Sequence, residues 1–212
     1  RDNPDDTLHF GKTVNPIVYD KQKIGSNDTV YQIARQPKFT TNSQILGERR
    51  GDFTLLINGM PLIHVELKRS GVPVRNACNQ IERYMRSGVF DGIFSLVQIF
   101  VAMNPEETLY FANPGPDGKF KSDFYFHWAD FNNELINDWS DIAETLLSIP
   151  MAHQLIGYYT VPDKGDGILK VMRSYQYYAA SRISDAVAMK HWDDTQNLGG
   201  YIWHTTGSGK TM

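Results

Sequence analysis

The stretch Asp52-Phe53-Thr54-Leu55-Leu56-Ile57-Asn58-Gly59-Met60-Pro61-Leu62-Ile63-His64-Val65-Glu66-Leu67-Lys68 decides how the rest of the chain is read. Apolar side chains recur at alternate positions on both sides of Asn58-Gly59, a dipeptide that strongly favours a hairpin turn. Successive strand side chains point to opposite faces, so Ile63, Val65 and Leu67 share one face and His64, Glu66 and Lys68 the other. In the preceding strand the apolar set is Phe53, Leu55 and Ile57. A slip of one residue would turn one of the two sets to the wrong face, so burial fixes the register. A three-residue loop Asn58-Gly59-Met60 satisfies that register and predicts Phe53 across from Val65 and Asp52 across from Glu66.

Directly opposed residues hold their Cβ atoms about 4.5–5.5 Å apart. Two carboxylates at such a distance repel unless a proton or a cation lies between them. Hard oxygen donors beside a lysine suit Mg2+ or Mn2+ rather than zinc. A site of this kind activates water and neutralises the charge that develops on a phosphodiester during in-line displacement. Lys68, on the face of Glu66, can position that water or stabilise the developing charge. The spacing alone also fits a solvated strand face carrying Glu and Lys. A helix is expected from Pro73 to about Ser87-Gly88, with proline at its start and glycine past its end. On it Gln80 and Tyr84 are neighbours on one face, able to bond phosphate or orient the site, or to form a polar rim.

The 212 residues are 41% hydrophobic and 21% charged, with 17 Gly and 10 Pro, which excludes disordered and collagen-like classes. The single cysteine, Cys78, excludes an intramolecular disulfide framework and a multi-cysteine zinc site, and fits a reducing, cytoplasmic compartment. No window has the length and apolarity of a membrane span, so no membrane is expected as a partner. The net charge is −3, but the stretch 49–90 carries seven Lys or Arg against three acids. That local excess fits a phosphate-binding surface or a solvated face balanced elsewhere.

Residues 1–48 read as loops with one strand at 29–34. Beyond the hairpin and its helix, a buried strand is expected at 93–103 and further strands at 108–112 and 124–128. Helices are expected at 137–148, 151–159 and 173–190, with a boundary near 148–150. A short strand at 201–204 then runs into Gly207-Ser208-Gly209-Lys210-Thr211. Glycine turns point backbone N–H groups at phosphates, a lysine reaches the β and γ oxygens, and a Thr hydroxyl ligates Mg2+. This is a P-loop pattern for ATP, with His204 where the first glycine usually stands. Because the sequence stops at Met212 just after the loop, it is expected to be part of a longer chain. His64 shares the carboxylate face and reads as a polar strand residue, or alternatively as a contact to a metal-bound water, and His127, His153 and His191 read as structural. Cys78 reads as packing, and Tyr175, Tyr177, Tyr178 and Trp192 as core or interface aromatics.

Asp52 followed by Glu66-Leu67-Lys68 resembles the PD-(D/E)xK nuclease motif, and Gln80-Ile81-Glu82-Arg83-Tyr84 resembles the QxxxY motif of its RecB-like branch. Asn58-Gly59-Met60-Pro61-Leu62 is similar to the NGLPL turn of type I restriction enzyme restriction subunits. Gly51 stands where the motif name has proline, and the family's upstream acidic residue has no assigned counterpart. Arg173-Ser174-Tyr175-Gln176 resembles the R-x-Y-Q element of superfamily 2 helicases, whose glutamine reads the adenine edge. Together these motifs, over about residues 27–212, resemble the restriction subunit of a type I restriction–modification enzyme. The resemblance implies an α/β fold: a restriction-endonuclease-like mixed sheet flanked by helices in 1–149, then the start of a RecA-like P-loop motor domain in 150–212. It implies catalytic Asp52, Glu66, Lys68, Gln80 and Tyr84, with Asp52 and Glu66 holding Mg2+. Arg173, Gln176, Gly207, Ser208, Gly209, Lys210 and Thr211 would bind ATP with a second Mg2+. Double-stranded DNA and the modification (methyltransferase) and specificity subunits are the implied partners. The alternative is an ATP-driven helicase or translocase whose N-terminal domain binds DNA without cutting. A P-loop kinase or transferase and a non-enzymatic DNA-binding module fit less of the pattern.

Overall fold

The computed structural model describes residues 19–20, 22–25, 27–39, 49–115, 118–189 and 200–208. His191, Trp192, Gly209, Lys210 and Thr211 lie outside the described residues. In chain order the elements are β1 (Tyr31–Arg35), β2 (Lys38–Phe39), β3 (Arg49–Arg50), β4 (Phe53–Ile57), β5 (Met60–Leu67) and α1 (Arg75–Arg86). There follow β6 (Ile99–Asn104), β7 (Glu107–Ala112), α2 (Trp139–Glu144), α3 (Ile149–Gly157), β8 (Thr160–Pro162), β9 (Leu169–Val171) and α4 (Ser174–Ala188). Five strands form one sheet in the order β1-β4-β5-β6-β7, while β2 with β3 and β8 with β9 make small ribbons. Only the β5–β6 pair is parallel, and α1 lies in the crossover that parallel pairing requires. The fold is a mixed α/β sheet with helices.

The hairpin keeps the expected pairing of Phe53 with Val65, but reaches it by another route. The loop is the two-residue turn Asn58-Gly59, with Ile57 paired to Met60, and not the three-residue loop the register suggested. Both turn residues have positive φ, 51° and 81°, as a type I′ turn requires. The missing residue is restored by a shift between Leu55 and Leu56, which face Ile63 and Pro61 and leave Leu62 as the extra residue of a bulge. Pro61 has no N–H to give to the ladder, so the irregularity falls beside it. The Leu62 carbonyl instead accepts from the Gln98 N–H at 2.9 Å, at the start of the pairing with β6.

Alternation along β5 and β6 divides the interior in two. Ile63, Val65, Ile99, Val101 and Met103 pack with Trp128, Ile142, Leu146, Leu155, Ile156 and Val171 on one face. Phe100 and Ala102 pack on the other with Phe39, Phe90 and the inner stripe of α1, Ala77, Cys78, Ile81 and Tyr84. That stripe has helical spacing, and Pro73 precedes the helix as expected. At its end Gly88 adopts φ 70°, and the N–H groups of Gly88 and Val89 return to the Met85 and Tyr84 carbonyls, a Schellman closure. His64 and Glu66 therefore face α1 across a buried layer, not solvent.

Other expectations need correction. The apolar run 93–103 is not one strand: a 3-10 turn at Gly92–Leu96, begun by Gly92 at φ 60°, precedes β6. The stretch 124–128 contributes a single bridge, Tyr110 to Phe126, after a 3-10 turn at Ser122–Phe124. Residues 201–204 form no strand. Ala152, Leu155, Ile156 and Val171 belong to the same cluster as Val65 and Val101. The Tyr110 hydroxyl donates to the Met172 carbonyl at 2.8 Å from within that packing.

Candidate active site

Strand β5 ends where its backbone leaves the sheet, and the Lys68 N–H still donates to the Met103 carbonyl of β6 at 2.8 Å. This places Glu66 as the last inward-facing residue on the α1 side, 1% exposed, with Lys68 half-buried just beyond it. Lys68 Nζ donates to Glu66 Oε1 at 3.3 Å, to the Leu67 carbonyl at 3.0 Å and to Gln80 Oε1 at 2.8 Å. Gln80 Nε2 donates to the Tyr84 hydroxyl at 2.7 Å, and that hydroxyl donates to the Arg50 carbonyl at 2.9 Å. A chain of hydrogen bonds thus runs from Glu66 through Lys68, Gln80 and Tyr84 to the residue before Gly51. The helical spacing of Gln80 and Tyr84 makes it possible, since both side chains rise from one face of α1.

Asp52 stands between β3 and β4, next to Phe53, which pairs with Val65 of β5. One of its carboxylate oxygens accepts from the Leu67 N–H at 2.7 Å. That bond orients the side chain toward the end of β5. Burial, followed by the nearby Glu66 carboxylate, pushes the Tyr84 hydroxyl above its ordinary pKa, so it stays protonated and keeps donating.

Asp52 and Glu66 carry the hard oxygen donors that could hold a divalent cation at the end of the sheet. Glu66 Oε2 is buried and without a hydrogen-bond partner among the described residues. Among the described residues no three His, Cys, Asp or Glu side chains are arranged so as to hold a metal ion between them. A cation here would complete its shell with water or phosphate oxygens, as Mg2+ does when one or two carboxylates hold it.

Two neighbours, His64 and Gly51, sit against this group. His64 is buried, with Nδ1 3.2 Å from Thr54 Oγ1 and Nε2 3.5 Å from Glu66 Oε2. Gly51 allows that arrangement: a Cβ on it would lie 2.4 Å from His64 Cε1 and 2.9 Å from Phe39 Cε2. Alternation placed His64 with Glu66, but nothing in the sequence signalled that both would be enclosed. The glycine departs from the proline of the motif where a side chain would collide.

A second group of expected residues gathers at the start of α4. Gln176 Oε1 accepts from the Arg173 backbone N–H at 2.9 Å, so this glutamine serves in a capping box. The Arg173 guanidinium stacks 4.6 Å from the Phe126 ring centre and donates to the Tyr175 hydroxyl at 3.1 Å. Tyr175 in turn donates to the Ser208 carbonyl at 2.6 Å, and His204 meets its ring edge-on at 5.2 Å. Arg173, Tyr175, Tyr178, Arg182, Trp203, Gly207 and Ser208 line an open depression of about 710 Å3. The R-x-Y-Q element and the first part of the glycine loop are therefore neighbours.

Residues 7–119, which include Asp52, Glu66, Lys68, Gln80 and Tyr84, match the family model described as type I restriction enzyme R protein N terminus. The chain is similar to the type I restriction enzyme SauCOLORF180P endonuclease subunit of Staphylococcus aureus (strain COL), 37% identical over 179 residues, covering 82% of this chain and 18% of that protein. It is also similar to the type I restriction enzyme EcoprrI endonuclease subunit of Escherichia coli, 33% identical over 180 residues, 80% of this chain and 56% of that one. A putative type I restriction enzyme MjaVIIIP endonuclease subunit of Methanocaldococcus jannaschii is 28% identical over 209 residues, 95% of this chain and 19% of that one. The chain thus spans less than a fifth of the length of the staphylococcal relative. With the family model covering more than half of its residues, and a buried Glu-x-Lys at the end of the central hairpin within the matched region, the chain belongs to the type I restriction enzyme R protein N-terminal family.

Proposed function

We propose that this chain carries the DNA-cleaving centre of the endonuclease subunit of a type I restriction enzyme, on a restriction-endonuclease-like fold. The observation that carries the proposal is the position of Lys68 Nζ, held between Glu66 Oε1 at 3.3 Å and Gln80 Oε1 at 2.8 Å. A lysine fixed by three acceptors, one of them the buried Glu66 carboxylate, is pre-organised to meet negative charge on a scissile phosphate, which is where electrostatic catalysis acts. Asp52 and Glu66 are the residues that would hold Mg2+. When bound, the ion would lower the pKa of a water and offset charge on the phosphate. The reaction is hydrolysis: a water oxygen bonds to phosphorus, one P–O bond to the sugar breaks, and a proton ends on the leaving oxygen. In it Lys68 orients the water and the phosphate oxygen, Gln80 holds Lys68 in place, and Tyr84 holds Gln80. Lys68, Arg69, Arg75 and Arg83 belong to the local positive excess, which supports phosphate contact with double-stranded DNA that is not sequence-specific.

Residues from Arg173 onward fit the approach to an ATP-driven motor, in which Gly207, Ser208, Gly209, Lys210 and Thr211 would cradle the phosphates and a second Mg2+. Arg173 would face the nucleotide while Gln176 caps α4. In that setting ATP drives translocation, the specificity and modification subunits choose and methylate the site, and the assembly works in the cytoplasm. No helix among the described residues is long and apolar enough to cross a membrane. The test is cleavage of supercoiled plasmid by the intact protein with its partner subunits and ATP. Nicking and linearisation in Mg2+, lost with EDTA and in Lys68→Ala, are expected. Cleavage undiminished in EDTA would overturn the reading.

A further inference from the structure

Among the described residues, His64 Nε2 and Glu66 Oε2 are each buried without a hydrogen-bond partner, and they lie 3.5 Å from one another. That is longer than the roughly 2.7–3.2 Å of a formed N–H···O bond. The rest of the imidazole surroundings are apolar. Phe39, Phe90 and Phe100 present their rings to it at centroid distances of 5.8, 5.3 and 6.4 Å. On the open side Gly51 provides no Cβ, and one would overlap His64 Cε1. The other polar contact among the described residues is Thr54 Oγ1, 3.2 Å from Nδ1. A polar nitrogen shut into such a box is costly unless an acceptor answers it, and the one acceptor facing Nε2 is the Glu66 carboxylate.

We propose that His64 is a positioning residue for Glu66: the Thr54 hydroxyl donates to Nδ1, Nε2 carries a hydrogen, and that N–H holds Oε2 while Lys68 holds Oε1. The carboxylate is then fixed in one orientation from both sides, leaving its remaining lone pairs for the cation proposed above. This rests on the nuclease reading only for the cation; the Thr54–His64–Glu66 relay stands on the packing. Ligating carboxylates that are themselves hydrogen-bonded bind metal more tightly, and loss of such an outer partner typically weakens binding about 10–100-fold. The glycine before Asp52 is part of the same device, since a Cβ at 51 would overlap the ring at Cε1.

The test uses Mg2+ alone, titrated calorimetrically into the protein without DNA, together with the 15N and attached-proton signals of His64. His64→Leu, similar in bulk but without a donor, is expected to weaken Mg2+ binding about tenfold or more, and His64→Gln, which keeps an N–H, to recover most of it. The wild-type spectrum should show hydrogen on Nε2 and not Nδ1, with its proton signal moved by Glu66→Ala. Undiminished Mg2+ binding in a folded His64→Leu would overturn the proposal. So would a bare Nε2, or an Nε2–H signal indifferent to Glu66→Ala, and these spectra decide the matter even if His64→Leu fails to fold. A wild-type protein that binds no Mg2+ would instead count against the nuclease reading, while the spectra still decide the relay.

Discussion

Gly51 lacks a side chain at the point where two aromatic side chains close over the backbone. A methyl group there would overlap His64 and Phe39 well inside van der Waals contact. Gly51→Ala is therefore expected to cost about 1–3 kcal/mol, the usual penalty of overpacking a tight interior, read as a lower thermal midpoint. An unchanged midpoint would mean that the two rings move aside freely. Tyr84 offers a gentler probe. Its hydroxyl accepts from Gln80 and donates to the Arg50 carbonyl, so Tyr84→Phe removes two hydrogen bonds while keeping the ring packed. Loss of about 0.5–1.5 kcal/mol for each bond is expected in urea unfolding. If Gln80 also loosens, cleavage falls while DNA binding persists. Equal stability with full cleavage would show that the Tyr84 hydroxyl supports nothing.

At the scale of elements, the hairpin that presents Asp52 and Glu66 depends on a turn only certain residues can make. Gly59 sits at φ 81°, and a Cβ there meets no neighbour, so the penalty of Gly59→Ala is purely conformational. A left-handed residue with a Cβ loses about 1–2 kcal/mol, and the urea midpoint should drop accordingly. No change would mean that the turn relaxes to another type. The hairpin and α1 were legible in the sequence because each carries its own period: alternation at 53–57 and 63–67, and the 77, 78, 81, 84 stripe behind Pro73. The same two periods brought Glu66, Lys68, Gln80 and Tyr84 to one place. What was not legible depends on distant partners. The bulge at Leu62 follows from the missing N–H of Pro61, and the turn at Gly92–Leu96 interrupts an apolar run that carried no sign of a break. Residues 201–204 read as a strand from their apolar character, yet they find no strand to pair with, and Tyr201 and Trp203 are exposed. The enclosure of His64 needed Phe39, a residue from a two-residue strand that no periodicity announces.

Across the whole molecule, packing ties the N-terminal segment, the sheet and α3 into one unit. His153 of α3 joins them: its Nδ1 lies 2.7 Å from the Tyr31 hydroxyl, its Nε2 lies 3.0 Å from the Asp20 carbonyl, and its own carbonyl accepts from Tyr19 at 2.6 Å. Burial holds the imidazole below its ordinary pKa of 6.5. The unfolded chain therefore binds a proton as pH falls through that value while the folded one resists, so this contribution is intact above it and declines below it. Unfolding midpoints should fall between pH 7 and 5, and His153→Gln should flatten that part of the profile; a profile identical to wild type would clear His153 of the role. The motor reading sits at the same scale. Lys210→Ala should abolish ATP hydrolysis by the intact protein, because a P-loop lysine supplies the fixed charge at the β and γ phosphates. Full ATPase activity in that variant would refute the P-loop assignment. The measurement that bears most directly on the central claim compares intact wild-type protein with Glu66→Gln on supercoiled plasmid in Mg2+ and ATP, following DNA binding, ATP hydrolysis and strand cleavage in parallel. Glu66→Gln is predicted to bind DNA and hydrolyse ATP like the wild type while leaving the plasmid uncut; cleavage at the wild-type rate would contradict the account.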